Sequence, residues 1–356
     1  MFLCVIIQRK KAGSHWKFPQ GAAIMFCVRE SYPEEFYQSN IFRFYFDGLK
    51  PGVIDIETTG LDPGRTRFVL GGLVTPDARG KSFYQILAES KEEEIPLIRS
   101  FLSELKDLDV LISYNGDHFD LPFLYKRLRL NRIPTDELPF YQSLDLYRIL
   151  DRYSNFRKIL PNLKQKTVEE FLGLWANRTD EISGADSVVL YHEYLRTGDP
   201  AIRDIILLHN KDDILQLSRL IKVFEKLDLH KIMFHSGFIV PHLDKRAYIQ
   251  NIWLRKDSVY VSGVHKNVPM DYRCWQNSHE ASFCVKHRTF TLRIPWRNKK
   301  NCSYIDLEEF PYDCSVLEKY PGFEAGYLLA RSGGEVSYAE INHLIKILLI
   351  EILKEI

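Results

Sequence analysis

The spacing of apolar residues changes its period along the chain and predicts a layered arrangement of strands and helices. Short apolar or alternating runs bounded by turn residues predict strands at five places: 53–58, 67–74, 82–87, 110–114 and 144–146. Apolar residues that recur every three or four positions predict helices at 94–105, at 120–130 and over most of 163–227. Three meandering strands followed by alternating helices and strands favour a mixed α/β domain.

The regions on either side of this domain have different patterns. The phenylalanines at 42, 44 and 46 alternate with other residues and predict a short strand in the aromatic-rich segment 1–50, which we expect to pack on the core as an extension. Beyond residue 230, several strand patterns and a final helical pattern at 337–354 predict a smaller β-rich module. The predicted boundaries are therefore 1–50, 51–230 and 231–356, and the last segment has no assigned role.

Composition and charge narrow the class of protein. The 356 residues are 45% hydrophobic and 27% charged, which is a globular composition and excludes a disordered or collagen-like chain. The formal net charge is +1, so anion binding must come from local charge or from a metal ion. The six cysteines form no C-x-x-C pair, which argues against structural zinc. The apolar start of the chain precedes its charges, unlike a signal peptide, so we expect a cytoplasmic location.

The strongest chemical signal is a pair of carboxylates on the first core strand. Asp55 and Glu57 lie two residues apart, so both project from the same face of the strand. Burying two like charges costs several kcal/mol, on the order of the penalty for a lone buried ion, unless cations pair with them. Mg²⁺ and Mn²⁺ are the usual solution because they prefer carboxylate oxygens. The alternative is that both side chains lie at a solvated strand end.

Two further motifs contain carboxylates. Asn115 and Asp120 lie where a strand leads into a helix, and Asp120 taken alone is better explained as a helix N-cap. His209 and Asp213 are separated by one helical turn and share a face, while Asp212 is interpreted as a solvent-facing charge.

Taken together, the three motifs resemble a known family. Asp55-x-Glu57, Asn115 with Phe119-Asp120, and His209-x-x-x-Asp213 are similar to the exonuclease motifs of the DEDD superfamily of 3′-5′ exonucleases. The flanking residues, including Thr58-Thr59-Gly60-Leu61, look like the YprB-type ribonuclease-H-like domain over roughly residues 52–225. The resemblance implies a ribonuclease-H-like mixed sheet flanked by helices.

The resemblance also implies a reaction and a set of roles. Two divalent ions, Mg²⁺ or Mn²⁺, would support hydrolysis of phosphodiester bonds in DNA or RNA. By this resemblance Asp55 would bridge both ions, Glu57 and Asp213 would complete the water-activating site, and Asp120 would hold the second ion. The other hypothesis is an inactive module that binds nucleic acid or a protein partner on the same fold.

His209 and the substrate contacts are separate predictions. The superfamily has either Tyr-x-x-x-Asp or His-x-x-x-x-Asp in its third motif, whereas His209 is a histidine at the tyrosine spacing. His209 is therefore a candidate general base ranked below the carboxylates. The resemblance implies that the terminal nucleotide of a single-stranded 3′ end lies near five residues, although each also suits a turn or the core: Thr58, Gly60, Leu61, Tyr114 and Asn115.

The C-terminal module combines basic and aromatic residues between 271 and 301. The basic residues there outnumber the acidic ones, and four aromatic residues are interleaved with them: Trp275, Phe283, Phe290 and Trp296. Such a pattern suits a path for a single strand of nucleic acid. The favoured alternative is a sheet with its aromatic residues in the core.

Overall fold

The computed structural model describes residues 5–7, 25–137, 140–174, 178–179 and 182–356. The chain divides into two compact units, of which the first comprises residues 1–39 and 49–227 and the second comprises residues 40–48 and 228–356.

The prediction of a strand at 42–46 is wrong, because this segment is the helix α1 (Asn40–Phe46) of the second unit. Its buried residues are Phe42, Tyr45 and Phe46, which recur at helical spacing. Aromatic residues at four of seven positions fit a period of two as well as a helical period, so the alternation in the sequence was misleading.

A seven-stranded mixed sheet forms the centre of the first unit. Its strands are β1 (Val5–Ile7), β2 (Phe26–Tyr32), β3 (Pro51–Thr58), β4 (Phe68–Asp77), β5 (Gly80–Leu87), β6 (Val110–Ser113) and β7 (Gln142–Asp145). The strand order is β1-β2-β5-β4-β3-β6-β7. β3 pairs antiparallel with β4 and parallel with β6, so the strand that contains the first acidic motif is internal.

Helices cover both faces of this sheet. They are α2 (Glu94–Leu105), α3 (Asp120–Leu130), α4 (Leu146–Tyr153), α5 (Phe156–Ile159), α6 (Gln165–Phe171), α7 (Gly184–Thr197) and α8 (Pro200–Leu220). On one face, Ile54 and Ile56 of β3 share a core with residues of α2 and α3. On the other face, residues of β4 and β5 share a core with α7 and α8. The predicted mixed sheet flanked by helices is confirmed.

α8 lies close to the sheet because β4 contains a glycine where they meet. Gly72 pairs with Asp55 across the sheet. A Cβ atom at this position would lie 1.9 Å from Cδ1 of Ile214 and 2.4 Å from Oδ1 of Asn210. Because Gly72 has no side chain, α8 packs close to β4 and Asn210 of α8 reaches Asp55.

The second unit consists of two sheets and three helices. After α1, its elements are α9 (Leu229–Ser236), β8 (Ile239–His242), β9 (Lys245–Leu254), β10 (Ser258–Lys266), β11 (Tyr272–Trp275), β12 (Glu280–Cys284), β13 (Thr289–Pro295), β14 (Arg297–Lys299), β15 (Cys302–Asp306), β16 (Phe323–Glu324), β17 (Tyr327–Ser332), β18 (Glu335–Val336) and α10 (Tyr338–Glu355). One sheet has the order β11-β12-β13-β10-β9-β8 with antiparallel neighbours. The other has the order β14-β15-β17-β16, with β18 paired to β17.

Three of the four aromatic residues singled out in this module lie in its core. Phe283, Phe290 and Trp296 are 1%, 1% and 7% exposed, whereas Trp275 is 72% exposed. Within the part of the chain that the structure describes, no helix combines the length and apolar character needed to cross a bilayer.

We predict that Gly72→Ala destabilises the protein, because the added methyl group would overlap Ile214 and Asn210. Overpacking of this kind costs about 1–3 kcal/mol, which chemical denaturation can measure. Gly184→Ala is the matched control, since a Cβ atom there has nothing within 4 Å. Equal stability of the two variants would contradict the close packing of α8 against β4.

Candidate active site

Asp55 and Glu57 project from β3 toward α8. Their neighbours Ile54 and Ile56 point into the core on the opposite face, so the alternation of the strand separates the apolar and acidic side chains. Glu57 is 8% exposed, which places one of these carboxylates inside the protein rather than at a solvated strand end.

Asp120 joins this pair from the start of α3. Pairing between β3 and β6 ends at Val53 and Ile112, which leaves the next part of β3 without a neighbouring strand on that side. The backbone N–H of Ile56 donates to Oδ1 of Asp120 at 3.1 Å. The N-cap position of α3 is Phe119, so Asp120 does not act as the N-cap.

A buried aspartate that sequence reasoning missed fixes the loop before Asp120. Asp145 accepts the backbone N–H groups of Asn115 at 2.9 Å and Asp117 at 3.1 Å. These bonds hold Asn115 in its left-handed conformation, with φ of 65°. The position of Asp145 between a short strand and a helix was the available signal, because aspartate is favoured at such helix starts. Burial raises the pKa of Asp145, although its backbone bonds oppose the shift.

Asn210 on α8 holds Asp55 through a chain of hydrogen bonds. Nδ2 of Asn210 donates to Oδ2 of Asp55 at 2.7 Å. Nε2 of Gln85 donates to Oδ1 of Asn210 at 2.7 Å. Because the Gln85 bond requires an acceptor, it orients the amide of Asn210 so that its donor faces Asp55.

His209 and Asp213 lie on the same side of α8, as predicted from their spacing. Nε2 of His209 lies 3.6 Å from Oε1 of Glu57 and 3.6 Å from Oδ2 of Asp213. The imidazole is 3% exposed. His209 therefore lies between two of the candidate carboxylates.

Arg178 holds Asp213 from the other side, and the sequence analysis did not identify it. Its Nη1 lies 2.6 Å from Oδ1 of Asp213. Its Nε and Nη2 donate to the two carboxylate oxygens of Glu169, each at 3.0 Å. The indication for a cation here comes from the structure: Glu169 is fully buried, and a buried glutamate requires a cation.

The interpretation of Asp212 as a solvent-facing charge is wrong. Asp212 is 6% exposed. Its Oδ2 accepts hydrogen bonds from the backbone N–H and the hydroxyl group of Thr179, at 2.5 and 2.9 Å. Asp212 therefore ties α8 to the loop that contains Arg178.

All ten residues predicted for catalysis or substrate binding line one pocket of about 740 Å³. They are Asp55, Glu57, Thr58, Gly60, Leu61, Tyr114, Asn115, Asp120, His209 and Asp213. Lys164, which the motifs did not assign to the site, also lines the pocket. Leu61 is 83% exposed, whereas the hydroxyl group of Tyr114 is fixed by a 2.6 Å bond to the carbonyl oxygen of Leu163.

Burial and neighbouring negative charge raise the pKa of two of the pocket's aspartates. Burial raises the pKa of Asp55 well above its ordinary value, and the negative charges of Asp120, Asp213 and Glu57 raise it further. Burial raises the pKa of Asp120 to about 7, against the effect of its backbone hydrogen bonds. The pocket is therefore a place where negative charge accumulates and protons or cations are favoured.

The donor set suits a hard divalent cation. Four carboxylates and one imidazole line the pocket, and carboxylate oxygens are the ligands that Mg²⁺ and Mn²⁺ prefer. As the side chains stand, no three Asp, Glu, His or Cys groups among the described residues surround one point at ligand distance. Asp55 is engaged by Asn210 and Asp213 by Arg178, so ligation would need small rotations of these side chains.

Comparison with known proteins agrees with this architecture. Residues 53–225 match the RNase_H_2 family model of the RNase H superfamily. The protein YprB of Bacillus subtilis (strain 168) is 32% identical over 202 residues, which cover 56% of this chain and 46% of YprB. The chain thus matches about half the length of that relative. The predicted YprB-type ribonuclease-H-like domain is confirmed.

The solved structures that align with this chain include a DNA polymerase and an exonuclease bound to an oligonucleotide. The family B DNA polymerase of Pyrobaculum calidifontis is 23% identical, with a TM-score of 0.41 over 49% of this chain and 24% of the polymerase. E. coli exonuclease I in complex with a dT13 oligonucleotide is 11% identical, with a TM-score of 0.33 over 60% of this chain and 55% of the exonuclease. Structural alignments with TM-scores this low do not indicate a function for this chain.

The raised carboxylate pKa values predict a pH dependence of stability in the absence of divalent ions. The folded state binds more protons than the unfolded state between about pH 4, the ordinary aspartate pKa, and about pH 7. Stability should therefore fall as the pH rises through this window, by up to about 1.4 kcal/mol per pH unit for each such group.

Thermal melting in EDTA at several pH values measures this effect. Asp120→Asn is the control, because its amide oxygen can still accept from Ile56 while the titrating group is gone. We expect a shallower loss of Tm between pH 4 and pH 7 for this variant. Parallel curves for the two proteins would show that Asp120 does not titrate in this range.

Proposed function

We propose that the first unit is a metal-dependent 3′-5′ exonuclease that hydrolyses phosphodiester bonds of DNA or RNA. One observation carries this proposal: four carboxylates from three separate parts of the chain, together with His209, line a single pocket of about 740 Å³. Burial raises the pKa of Asp55, and repulsion from the neighbouring carboxylates raises it further, a combination that is typical of functional sites.

The residues of the pocket divide into those that would hold divalent ions and those that would position them. Asp55, Glu57, Asp120 and Asp213 would hold Mg²⁺ or Mn²⁺. When bound, such ions neutralise the phosphate and lower the pKa of an attacking water molecule. Asn210 and Arg178 act as positioning residues, since each fixes one oxygen of a carboxylate and restricts its rotation.

His209 is the group best placed to accept a proton. Its Nε2 lies between Glu57 and Asp213, at 3.6 Å from an oxygen of each. A water molecule in this part of the pocket would lie beside the imidazole, so His209 could take its proton as the reaction proceeds. The spacing of one helical turn therefore does bring this histidine to the carboxylates.

The rim of the pocket suits the end of a single strand. Leu61 is exposed beside Gly60 at the pocket, where an apolar side chain can lie against a terminal base. Lys164 supplies a positive charge for a phosphate group. A polarity from the 3′ end rests on the resemblance of the motifs rather than on the shape of the pocket.

A second candidate function is a binding module without catalysis. The engagement of Asp213 by Arg178 favours it, because a resident guanidinium partly neutralises one of the carboxylates. A binding module would retain affinity for nucleic acid, but divalent ions would not stabilise it.

We predict that Asp55→Asn abolishes nuclease activity, with a loss of about 10³-fold or more, because it removes the carboxylate shared by the proposed ions. The substrate is a 5′-labelled single-stranded 20-mer with Mn²⁺, which should shorten stepwise from its 3′ end. A 3′-labelled strand should release labelled mononucleotide at once. Mn²⁺ should raise the Tm of the natural protein but not that of Asp55→Asn.

Asp117→Asn is the matched control, because Asp117 lies in the second motif, between Asn115 and Asp120, but is ion-paired with Arg148. This variant should retain both activity and the Mn²⁺ effect. No Mn²⁺ effect on the natural protein, combined with no cleavage, would favour the binding module. Cleavage that Asp55→Asn leaves intact would refute the proposed site.

We predict that His209→Ala and Asp213→Asn fail in different ways. Loss of a general base lowers kcat by about 10²–10⁴-fold while the proposed ion ligands remain. His209→Ala should therefore keep the rise of Tm with Mn²⁺, whereas Asp213→Asn should weaken it and lose more activity. Single-turnover cleavage and melting with Mn²⁺ measure the two effects. Loss of the Mn²⁺ effect in His209→Ala would make the histidine a ligand instead.

A further inference from the structure

An exposed row of flat side chains crosses the six-stranded sheet of the second unit. Trp253 pairs with Tyr260, Tyr260 with Arg293, Arg293 with Glu280, and Glu280 with Trp275. Since directly paired residues point to the same side of a sheet, these five side chains form one row, which we name the aromatic face.

The aromatic face lies on the side of the sheet that faces away from its core. Along β10, Val259 and Val261 are buried while Tyr260 between them is only partly buried. Trp253 and Trp275 are 43% and 72% exposed. Two indole rings exposed on one sheet face are unusual, because such rings normally gain free energy by burial. Their exposure indicates a binding partner with flat apolar groups.

The middle of the row is rigid and flat. The guanidinium group of Arg293 donates to Glu280 at 2.6 Å, to Asp257 at 2.9 Å and to Ser258 at 2.9 Å. It also lies 5.8 Å from the centre of the Tyr260 ring. Three acceptors fix the plane of this group beside an aromatic ring, so the row offers stacking surfaces without a large loss of side-chain entropy.

The charge of this sheet favours an anionic partner. Residues 239–295 contain nine lysines and arginines against four aspartates and glutamates, although the whole chain has a net charge of only +1. Two of the four acidic residues, Asp257 and Glu280, are bonded to Arg293. Arg255 and Lys256 are exposed in the turn beside Trp253, and they border a groove of about 510 Å³ that includes Tyr260.

We propose that the aromatic face binds single-stranded nucleic acid by stacking of its bases. Exposed rings stack on bases and the surrounding cations attract phosphates, a combination that is tolerant of sequence. Four strand spacings of about 4.8 Å separate Trp253 from Trp275, or about 19 Å in total. That distance corresponds to five or six steps at a stacked spacing of about 3.4 Å, or about six or seven nucleotides. A duplex hides the faces of its bases, so it cannot stack on this row.

The test measures binding by the full chain without divalent ions, in an Asp55→Asn background. The probes are fluorescent 20-mers of oligo(dT) and oligo(U), a 20-base-pair duplex and a 20-residue polyglutamate peptide. We expect both single strands to bind more tightly than the duplex or the peptide, and the tighter of the two single strands identifies the preferred sugar. Tighter binding of the peptide or the duplex would overturn the proposal.

The variants locate the binding. Trp253→Ala with Trp275→Ala should raise the Kd for the single strands by about tenfold or more, and phenylalanine at both positions should restore most of the affinity. Tyr327→Ala is the matched control, because Tyr327 is 39% exposed on the other sheet. Melting curves verify that each variant is folded. An unchanged Kd in the double alanine variant would overturn the proposal.

This binding does not depend on the proposed nuclease activity. Cleavage by the protein with Asp55 intact, together with an unchanged Kd when the double alanine change is made in the Asp55→Asn background, would refute only the aromatic face. Loss of affinity in that variant, for a protein that never cleaves, would refute only the exonuclease.

Discussion

The structure of the first unit depends on holding several carboxylates together at one edge of an internal strand. Each of them carries a charge that water would solvate better, and their mutual repulsion adds to the penalty of burial. The protein opposes this penalty with fixed donors: the backbone of Ile56 for Asp120, the amide of Asn210 for Asp55, and the guanidinium of Arg178 for Asp213. These donors restrict the rotation of the carboxylates, which is what a binding site for cations or phosphate requires.

The fold provides this arrangement through two local features. β6 ends before β3 does, which leaves a backbone N–H of β3 for a side chain rather than for another strand. Gly72 removes the side chain that would otherwise separate α8 from β4. Because the donor chain from Gln85 through Asn210 passes beside this glycine, the same close contact that packs the helix also orients Asp55.

Much of this architecture follows from the sequence, because its signals are local. Alternation on a strand predicts that Asp55 and Glu57 share a face, and helical spacing predicts the same for His209 and Asp213. The pocket groups these residues together. The helix at 40–46 was not predictable from alternation, because its aromatic residues fit both periods.

The residues that were missed act over long distances in the chain. Asp145 bonds to a loop about thirty positions earlier, and Arg178 pairs with Asp213, which lies 35 positions later in the chain. Their function depends on which partner they meet, and neither spacing nor composition encodes a partner. Asp212 shows the converse problem. Its charge was interpreted as solvent-facing, whereas its carboxylate accepts a hydrogen bond from Thr179, the residue after Arg178.

The resident guanidinium does not remove the need for further positive charge. Arg178 forms its two-bond contact with Glu169 and a single contact with Asp213, so its one charge is shared between two carboxylates. Asp55 and Asp120 accept hydrogen bonds from neutral donors, the amide of Asn210 and the backbone N–H of Ile56, which add no positive charge to the pocket. A phosphodiester brings another negative charge into this pocket, and at close range such repulsion amounts to about 4 kcal/mol per pair at the effective dielectric of a protein surface. The proposed nuclease therefore requires cations in the pocket when a nucleic-acid end approaches the carboxylates, which is why the response to Mn²⁺ separates a nuclease from a fold that only resembles one.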